Sequence, residues 1–327
     1  MSQPLLSICI PTYNQPDAIE RLLRCIFLEV NQEIEIIVKD DSSNDDTAAV
    51  VQEYSSKFPI KYIRGQKEGL DTAILFLTKE ASGKYVWWIG DDAVVSNGVR
   101  RVMAFLKKNE PAFVFLNCID ANSGESQFHI GLDKKFKDGS EVLEEVLGGG
   151  LGFISATLFK RENAISGIES AKKYIGTAYV NLYLIYHVLS QNGGLYYMSE
   201  PVIINYPTNT EEVVRIVKKK DGTIQNQAFQ VFGINFFNIT KAFRSKFKNR
   251  AIRKIVSESF AYTWRGVLVG WVGGWDTPIG KRWQMFKVYW SFPEIWLAMT
   301  AFLMPFWLNK VLYKIYGKFY SHRKFIY

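Results

Sequence analysis

Across residues 1–118, short runs rich in β-branched and aromatic residues alternate with stretches of helical period, and that alternation leaves few folds open. The runs Leu5–Ile10, Glu33–Lys39, Ile60–Arg64, Tyr85–Ile89 and Phe113–Leu116 read as strands. Between the first two, Ile19, Leu22, Leu23, Ile26 and Phe27 recur at helical spacing and give one apolar face to lie on a sheet. Helices are expected near Thr47–Lys57, Leu70–Ala81 and Gly98–Asn109, the last capped by Ser96 or Asn97. Strand–helix alternation of this kind predicts an α/β domain with a mainly parallel sheet. Ligands bind such sheets at the carboxyl ends of the strands.

Polar residues gather at those ends: Thr12-Tyr13-Asn14 after the first strand, Asp40-Asp41-Ser42-Ser43 after the second, Gly90-Asp91-Asp92 after the fourth. Adjacent carboxylates after a strand suit a hard divalent cation that neutralises a diphosphate, with Asp92 as the ligand and Asp91 beside it. The alternative is that the pair caps the following helix or favours a turn. In the second turn, Asp41 and Asp40 could accept hydrogens from a nucleobase, whereas Asp45 and Asp46 resemble helix-capping acids. No Gly-x-Gly-x-x-Gly follows the first strand, which argues against a dinucleotide oxidoreductase.

Beyond residue 118 the rhythm breaks. Residues 119–150 read as a connection ending in Gly148-Gly149-Gly150, and residues 151–206 regain order with a strand near Phe153–Phe159, a helix near Tyr179–Ser190 and a strand near Tyr196–Ile204. From about Asn226 the chain is helical and aromatic. Expected boundaries are therefore 1–118, 119–225 and 226–327.

Charge is distributed as unevenly as pattern. The chain carries a formal +8, yet residues 241–327 hold sixteen Lys or Arg against Glu258, Asp276 and Glu294, so that +13 sits there and −5 elsewhere. Seven of nine tryptophans, Trp264, Trp271, Trp275, Trp283, Trp290, Trp296 and Trp307, lie in the same basic third. Indoles among cations suit the headgroup layer of a membrane, and no nucleic-acid motif competes with that reading. The apolar run Ile295–Leu308 has 14 residues and an internal Pro305, too short for a span of about 20, and is expected to lie in the interface. A buried core helix with a basic tail is the alternative. Cys9, Cys25 and Cys118 lack metal spacing and pair into no disulfide framework, and no signal segment precedes Leu5, so buried thiols in a cytoplasmic protein are expected.

Four ordered elements then carry a family resemblance. Ile8-Cys9-Ile10-Pro11-Thr12-Tyr13-Asn14, Lys39-Asp40-Asp41-Ser42-Ser43-Asn44-Asp45-Asp46-Thr47, Gly69 twelve residues before Ala81, and Gly83-Lys84-Tyr85 leading to Gly90-Asp91-Asp92 are similar to the opening elements of family 2 glycosyltransferases. The resemblance implies a GT-A fold and inverting transfer from a nucleoside-diphosphate sugar. It further implies Mg²⁺ or Mn²⁺ on Asp92, Pro11, Thr12, Tyr13, Asn14 and Asp40 lining the nucleotide pocket, and Asp41 reading the base. In that frame 1–118 is the nucleotide-sugar half, 119–225 the acceptor half and 226–327 the membrane-associating region.

Gly69-Leu70-Asp71 and Trp87-Trp88-Ile89-Gly90-Asp91-Asp92 also resemble abequosyl- and rhamnosyl-type enzymes of bacterial surface polysaccharide, with Asp71 near the ribose or diphosphate or else an exposed helix-start acid. The implied acceptor is a lipid-linked saccharide at the cytoplasmic face of the inner membrane. The chain departs from the usual Asp-x-Asp-Asp at Gly90 and Ala93, and Gly176–Tyr183 lacks the acidic pair from which relatives take a base. Glu169 and His187 are the weak candidates left, His187 also fitting as a packing residue. A polyprenyl-phosphate acceptor, already anionic and needing no base, and a non-catalytic binding protein on a decayed transferase fold are the rival readings.

Overall fold

A computed structural model describes residues 3–42, 46–146, 150–206, 229–259 and 279–293, with Trp296 and Val311. Contacts divide the chain into two units, Met1–Thr208 and Asn209–Tyr327.

The first unit is built on β1 (Leu6–Thr12), α1 (Pro16–Ile26), β2 (Ile34–Asp40), α2 (Thr47–Ser55), β3 (Lys61–Arg64), α3 (Leu70–Glu80), β4 (Tyr85–Trp88), β5 (Ala93–Val94) and α4 (Gly98–Asn109). It continues with β6 (Phe113–Asp120), β7 (Lys134–Phe136), α5 (Gly139–Glu145), β8 (Thr157–Lys160), α6 (Arg161–Ile165), α7 (Ile168–Ala171), α8 (Val180–Leu189) and β9 (Leu195–Asn205). The sheet runs β3-β2-β1-β4-β8-β6-β9-β5, with β7 on β9. Its first four strands are parallel, whereas β8 lies antiparallel between β4 and β6, and β5 and β7 are antiparallel to β9. The expected parallel sheet therefore describes one half; the other half is mixed.

Helix α1 starts at Pro16, whose missing N–H is no loss in a first turn, and buries Ala18, Ile19, Leu22, Leu23 and Ile26. Ile19, Leu22, Leu23 and Ile26 join Leu6, Ile8, Ile10, Ile36, Val38 and Trp87 in one core. Burying each such side chain stabilises by about 1.5–3 kcal/mol.

Several sequence expectations shift. Asn97 occupies the N-terminal flank of α4, but its backbone is left-handed (φ 60°) and its side chain caps nothing; Asp46 likewise heads α2 without a side-chain cap, and Asp45 lies outside the described residues. Residues 119–146 are not a bare connection. β6 extends to Asp120, and α5 is capped where the Asp138 carboxylate accepts from the Glu141 amide at 3.0 Å. The expected strand Phe153–Phe159 opens instead with a 3-10 turn, Ile154–Ala156, because Ser155 turns its polar groups inward toward the site. Leu147, Gly148 and Gly149 lie outside the described residues.

All three cysteines are free, and burial pushes the Cys9 and Cys118 thiols well up.

In the second unit, helices cover Phe236–Ala242, residues 249–259 and Ile279–Tyr289. Phe237 packs on Tyr289 and Phe292 at ring distances of 4.7 and 5.5 Å. Among the described residues no helix is long and apolar enough to cross a membrane. The run Ile295–Leu308 lies, apart from Trp296, outside the described residues, as do Trp264, Trp271, Trp275 and Trp307.

Candidate active site

Three strand ends meet at one edge of the parallel half. Register pairs Thr12 with Asp40 and Cys9 with Trp88, so the segments after β1, β2 and β4 leave the sheet on the same side. The Asp41 amide donates to the Thr12 carbonyl at 3.0 Å, and the Asn14 amide donates to Ser42 Oγ at 2.8 Å with Asn14 in a left-handed conformation (φ 52°). Pro11 is half-buried and Tyr13 exposed, with Lys67 Nζ 4.0 Å above the Tyr13 ring. Thr12 Oγ1 is buried and finds no protein partner.

The two acids after β2 are used differently. Asp41 pairs through Oδ1 with buried Lys39 Nζ at 2.7 Å and through Oδ2 accepts from the Glu68 amide at 3.2 Å. Gly65 lies so close that a Cβ there would meet Lys39 Nζ at 2.0 Å. A base edge reaching Asp41 must therefore compete with these donors. Asp40 is buried inside the turn: Tyr62 Oη donates to Oδ2 at 2.5 Å and the Ser42 amide to Oδ1 at 2.8 Å. Placed among nucleotide-lining residues from sequence, Asp40 is buried, each oxygen accepting one hydrogen bond within the turn, a pairing of the kind that lets a buried acid persist.

Asp92 is 2 % exposed, its carboxylate accepting from Ser155 Oγ at 2.5 Å and the Tyr206 amide at 3.2 Å. Burial drives its pKa up from the ordinary carboxyl value of 3.8 to about 7 against the opposing pull of the Ser155 hydrogen bond. Asp91 is half-buried, and its carbonyl accepts from Arg21 Nη2 at 2.6 Å. The Arg21 guanidinium lies 3.8 Å over the Tyr206 ring. Below the turn, Trp87 Nε1 donates to the Ser155 carbonyl at 2.8 Å and Trp88 Nε1 to Thr78 Oγ1 at 3.1 Å, which holds both indoles fully buried.

Arg21, Ser155 and Tyr206 went unnoticed in the sequence. Ser155 and Tyr206 lie 63 and 114 residues from Asp92, and Arg21 lies 70 from Asp91, so no local spacing could link them.

Whether these residues suit Mg²⁺ or Mn²⁺ turns on donor type. Among the described residues no three His, Cys, Asp or Glu side chains form a cage. Such ions, however, are usually held by one or two carboxylates together with substrate phosphates. A buried carboxylate whose charge is under-compensated, beside a half-buried second one, fits that donor set.

Asp71 lies elsewhere than expected. It is 7 % exposed, and its two oxygens accept from the amides of Ala178 at 2.8 Å and Val180 at 3.1 Å, fastening the start of α8. It is therefore not the exposed helix-start acid that the sequence allowed as an alternative. Gly69, with φ 85°, supplies the turn just before α3.

The two base candidates are each engaged by neighbouring side chains. Glu169 is exposed and pairs with Lys172 at 2.7 Å. His187 Nε2 sits 2.9 Å from Ser166 Oγ and 2.8 Å from Gln191 Nε2, and its ring packs on Gly167, a structural role.

Residues 7–162 match the model described as glycosyl transferase family 2. The chain is 26% identical over 220 residues to the abequosyltransferase RfbV of Salmonella typhimurium, across 61% of this chain and 66% of that protein. It is 32% identical over 124 residues to the GalNAc(5)-diNAcBac-PP-undecaprenol β-1,3-glucosyltransferase of Campylobacter jejuni, across 37% of this chain and 40% of that one. The chain thus spans less than two thirds of either relative's length. Among solved structures, the mannosyltransferase PcManGT of Pyrobaculum calidifontis, in complex with GDP-Man and Mn²⁺, superposes with a TM-score of 0.50 at 14% identity, covering 99% of this chain and 82% of that one. At that identity the likeness concerns the fold.

Proposed function

We propose that this chain, whose residues 7–162 match the glycosyl transferase family 2 model, is an inverting, metal-dependent glycosyltransferase. It moves a sugar from a nucleoside-diphosphate donor to a lipid-linked saccharide in bacterial surface-polysaccharide synthesis of the O-antigen or capsule type. The observation that carries the reading is the buried Asp92 carboxylate at the end of β4, beside the turns after β1 and β2. A divalent cation on Asp92 would supply charge neutralisation for the departing diphosphate. Asp91 orients donor oxygens beside it, Arg21 fixes the turn through the Asp91 carbonyl, and Ser155 holds the Asp92 side chain. Tyr13 and Asn14 flank the nucleotide, and Asp41 accepts from the base.

In the transfer, the acceptor oxygen bonds to the anomeric carbon from the face opposite the diphosphate. The carbon–oxygen bond to the diphosphate breaks, its electron pair leaves with the phosphate, and the acceptor proton passes to a base. Similarity to the GalNAc(5)-diNAcBac-PP-undecaprenol β-1,3-glucosyltransferase supports the acceptor class.

Melting curves with UDP, GDP, CDP and dTDP, each with and without Mn²⁺, test the donor site. A ligand at about 100 times its dissociation constant adds about 2.7 kcal/mol to the folded state and raises the melting point by several degrees. If no nucleotide raises it with Mn²⁺ present, the donor reading fails.

One observation favours a second acceptor. Gly176–Tyr183 carries no acid, Glu169 is tied to Lys172, and His187 is engaged by Ser166 and Gln191. A polyprenyl phosphate, already an anion, needs no base. Paired assays with polyprenyl phosphate and with a lipid-linked saccharide separate the two acceptors.

The second unit is proposed to hold the enzyme on the cytoplasmic face of the inner membrane. Trp283, Trp290 and Trp296 are 56%, 58% and 44% exposed, and their rings run on through Phe286 at centroid distances of 5.5, 5.6 and 4.9 Å. Lys287 Nζ lies 5.6 Å from the Trp283 ring, within the region of charge +13. Exposed indoles beside cations match an anionic headgroup layer. Replacing both Trp283 and Trp290 by Ala should reduce co-sedimentation with phosphatidylglycerol-containing vesicles by about tenfold. Unchanged sedimentation of that variant would rule out the assignment.

A further inference from the structure

β6 lies antiparallel to β8, and β8 to β4, so β6 runs in the direction of β4 and ends on the same edge of the sheet. It ends at Asp120, which the register pairs with Asn205 of the parallel strand β9. On the other side of β9, Ala93 pairs with Ile204 and Val94 with Ile203 in the antiparallel sense. The same register carried one residue back sets Asp92 opposite Asn205, and the Tyr206 amide reaches the Asp92 carboxylate at 3.2 Å. Asp92, Asn205 and Asp120 thus stand in one row across three neighbouring segments. Residues directly opposite one another share a face, so the two acids look onto the same side of the sheet at two strand spacings, about 10 Å between their Cα atoms. The buried Cys118 thiol, two residues before Asp120, feels the charge of both.

Asp120 differs from the other acids near the site. Asp40 and Asp41 lie in the turn after β2, Asp71 fastens α8, and Asp91 and Asp92 lie in the turn assigned to the diphosphate. Asp120 is half-buried and, among the described residues, forms no ion pair, unlike Glu169. The amides of Asn122 and Ser123 both donate to its Oδ1 at 2.9 Å, and neither reaches Oδ2. The Ser123 amide, ahead of the other turn donors, holds its carboxyl below the ordinary value, so that it stands ionised at neutral pH.

We propose that Asp120 is the general base of the transfer, its Oδ2 taking the proton of the acceptor sugar's hydroxyl. The proposal rests on the transferase reading above and on Asp92 as the donor-side acid. The acceptor oxygen bonds to the anomeric carbon, the bond from that carbon to the diphosphate oxygen breaks with its electron pair leaving on the phosphate, and the hydroxyl proton passes to Asp120. An inverting displacement sets its two acidic groups on opposite sides of the anomeric carbon. In inverting glycosidases, carboxyl groups about 6.5–9.5 Å apart leave room for the attacking water. The row from Asp92 to Asp120 offers similar room, with a sugar hydroxyl in the place of that water. A base at the end of β6 also accounts for transfer to a neutral hydroxyl without an acid in Gly176–Tyr183.

Release of nucleoside diphosphate tests this in the full chain, with UDP-glucose, UDP-N-acetylglucosamine, GDP-mannose, CDP-abequose and dTDP-rhamnose as donors, each with Mn²⁺. Undecaprenyl-diphosphate-linked N-acetylglucosamine, its galactose counterpart and undecaprenyl phosphate serve as acceptors. Asp120→Asn keeps the turn, since an asparagine oxygen accepts the same two amides. It should lower kcat with the best saccharide acceptor by about 10²–10⁴-fold. Calorimetric affinity for the matching nucleoside diphosphate with Mn²⁺ should stay within about threefold. In Asp120→Gly, added formate should raise kcat by about tenfold or more and leave the wild type unchanged, because a free carboxylate can replace a missing base but not a missing turn.

Wild-type-like kcat in Asp120→Asn overturns the proposal and leaves the donor reading intact, as does wild-type transfer to undecaprenyl phosphate alone. A loss that formate does not restore in Asp120→Gly also overturns it, reducing Asp120 to a support of the turn. Nucleotide affinity lowered beyond about tenfold in Asp120→Asn would instead make the residue a donor contact. Neither nucleotide binding nor release by the wild type overturns both readings. Should Asp120→Gly not fold, Asp120→Ala takes the formate arm.

Discussion

Asp92→Asn should lower sugar transfer by about 10²–10³-fold while making the metal-free protein more stable at neutral and alkaline pH. The two effects share one cause. A cation on a carboxylate stabilises developing diphosphate charge by several kcal/mol, and about 3–4 kcal/mol lost corresponds to that fall in rate. The neutral amide keeps the shape but not the charge.

For stability, the sign follows from the raised pKa, about 7 in the folded chain against an ordinary 3.8. Between about pH 4 and 7 the folded state holds a proton that the unfolded state has released, so folding loses stability as pH rises through that window. Below about pH 4 both states are protonated and nothing is lost; above about 7 the whole penalty, on the order of 1–4 kcal/mol, is in place. Asparagine removes it. Melting points of metal-free wild type and variant should therefore diverge from pH 4 to pH 7 in favour of the variant, and saturating Mn²⁺ should restore the wild type alone. Near-normal turnover of Asp92→Asn with saturating metal would remove Asp92 from the proposed mechanism.

Trp87→Ala should cost about 3–5 kcal/mol of stability, because Trp87 is fully buried and Trp-to-Ala changes in cores cost that much. A drop near 10 °C in melting point is expected at about 2–4 °C per kcal/mol. The change also strips the Ser155 carbonyl of its indole donor, and the Ser155 hydroxyl holds Asp92, so transfer should fall further than the loss of folded protein explains. Trp87→Phe separates the contributions: it should recover most of the packing and little of the hydrogen bond. A melting point for Trp87→Ala within about 3 °C of wild type would show that the indole is not a support of the site.

The strands and helices of residues 5–116 were legible because the helices bury one apolar face on the sheet and the central strands, covered on both faces, read as short apolar runs. Ile19, Leu22, Leu23 and Ile26 are all buried where the spacing put them, and α4 runs from Gly98 to Asn109 as read. Their parallel pairing was legible too, since parallel strands need crossover helices. In the second half α8 and β9 fall where the sequence placed them, but the insertion of β8 between β4 and β6 was not legible, because it depends on pairing across long stretches of chain and only four residues of β8 are extended. Ile154–Ala156 looked extended by composition, yet Ser155 turns its hydroxyl to Asp92 and its carbonyl to Trp87.

By itself, then, the sequence determined which strand ends carry acids and which family motifs they form, since those are local matters of order and spacing. Only the tertiary structure decided what each acid does. Asp40, Asp41, Asp71 and Asp92 are alike as carboxylates, but Asp40 is spent on Tyr62 and Ser42, Asp41 is held by Lys39 and Glu68, Asp71 fastens α8, and Asp92 is buried against Ser155 and Tyr206. A carboxylate's role is set by the donors that reach it and by how far water is excluded, and most of those donors arrive from distant parts of the chain.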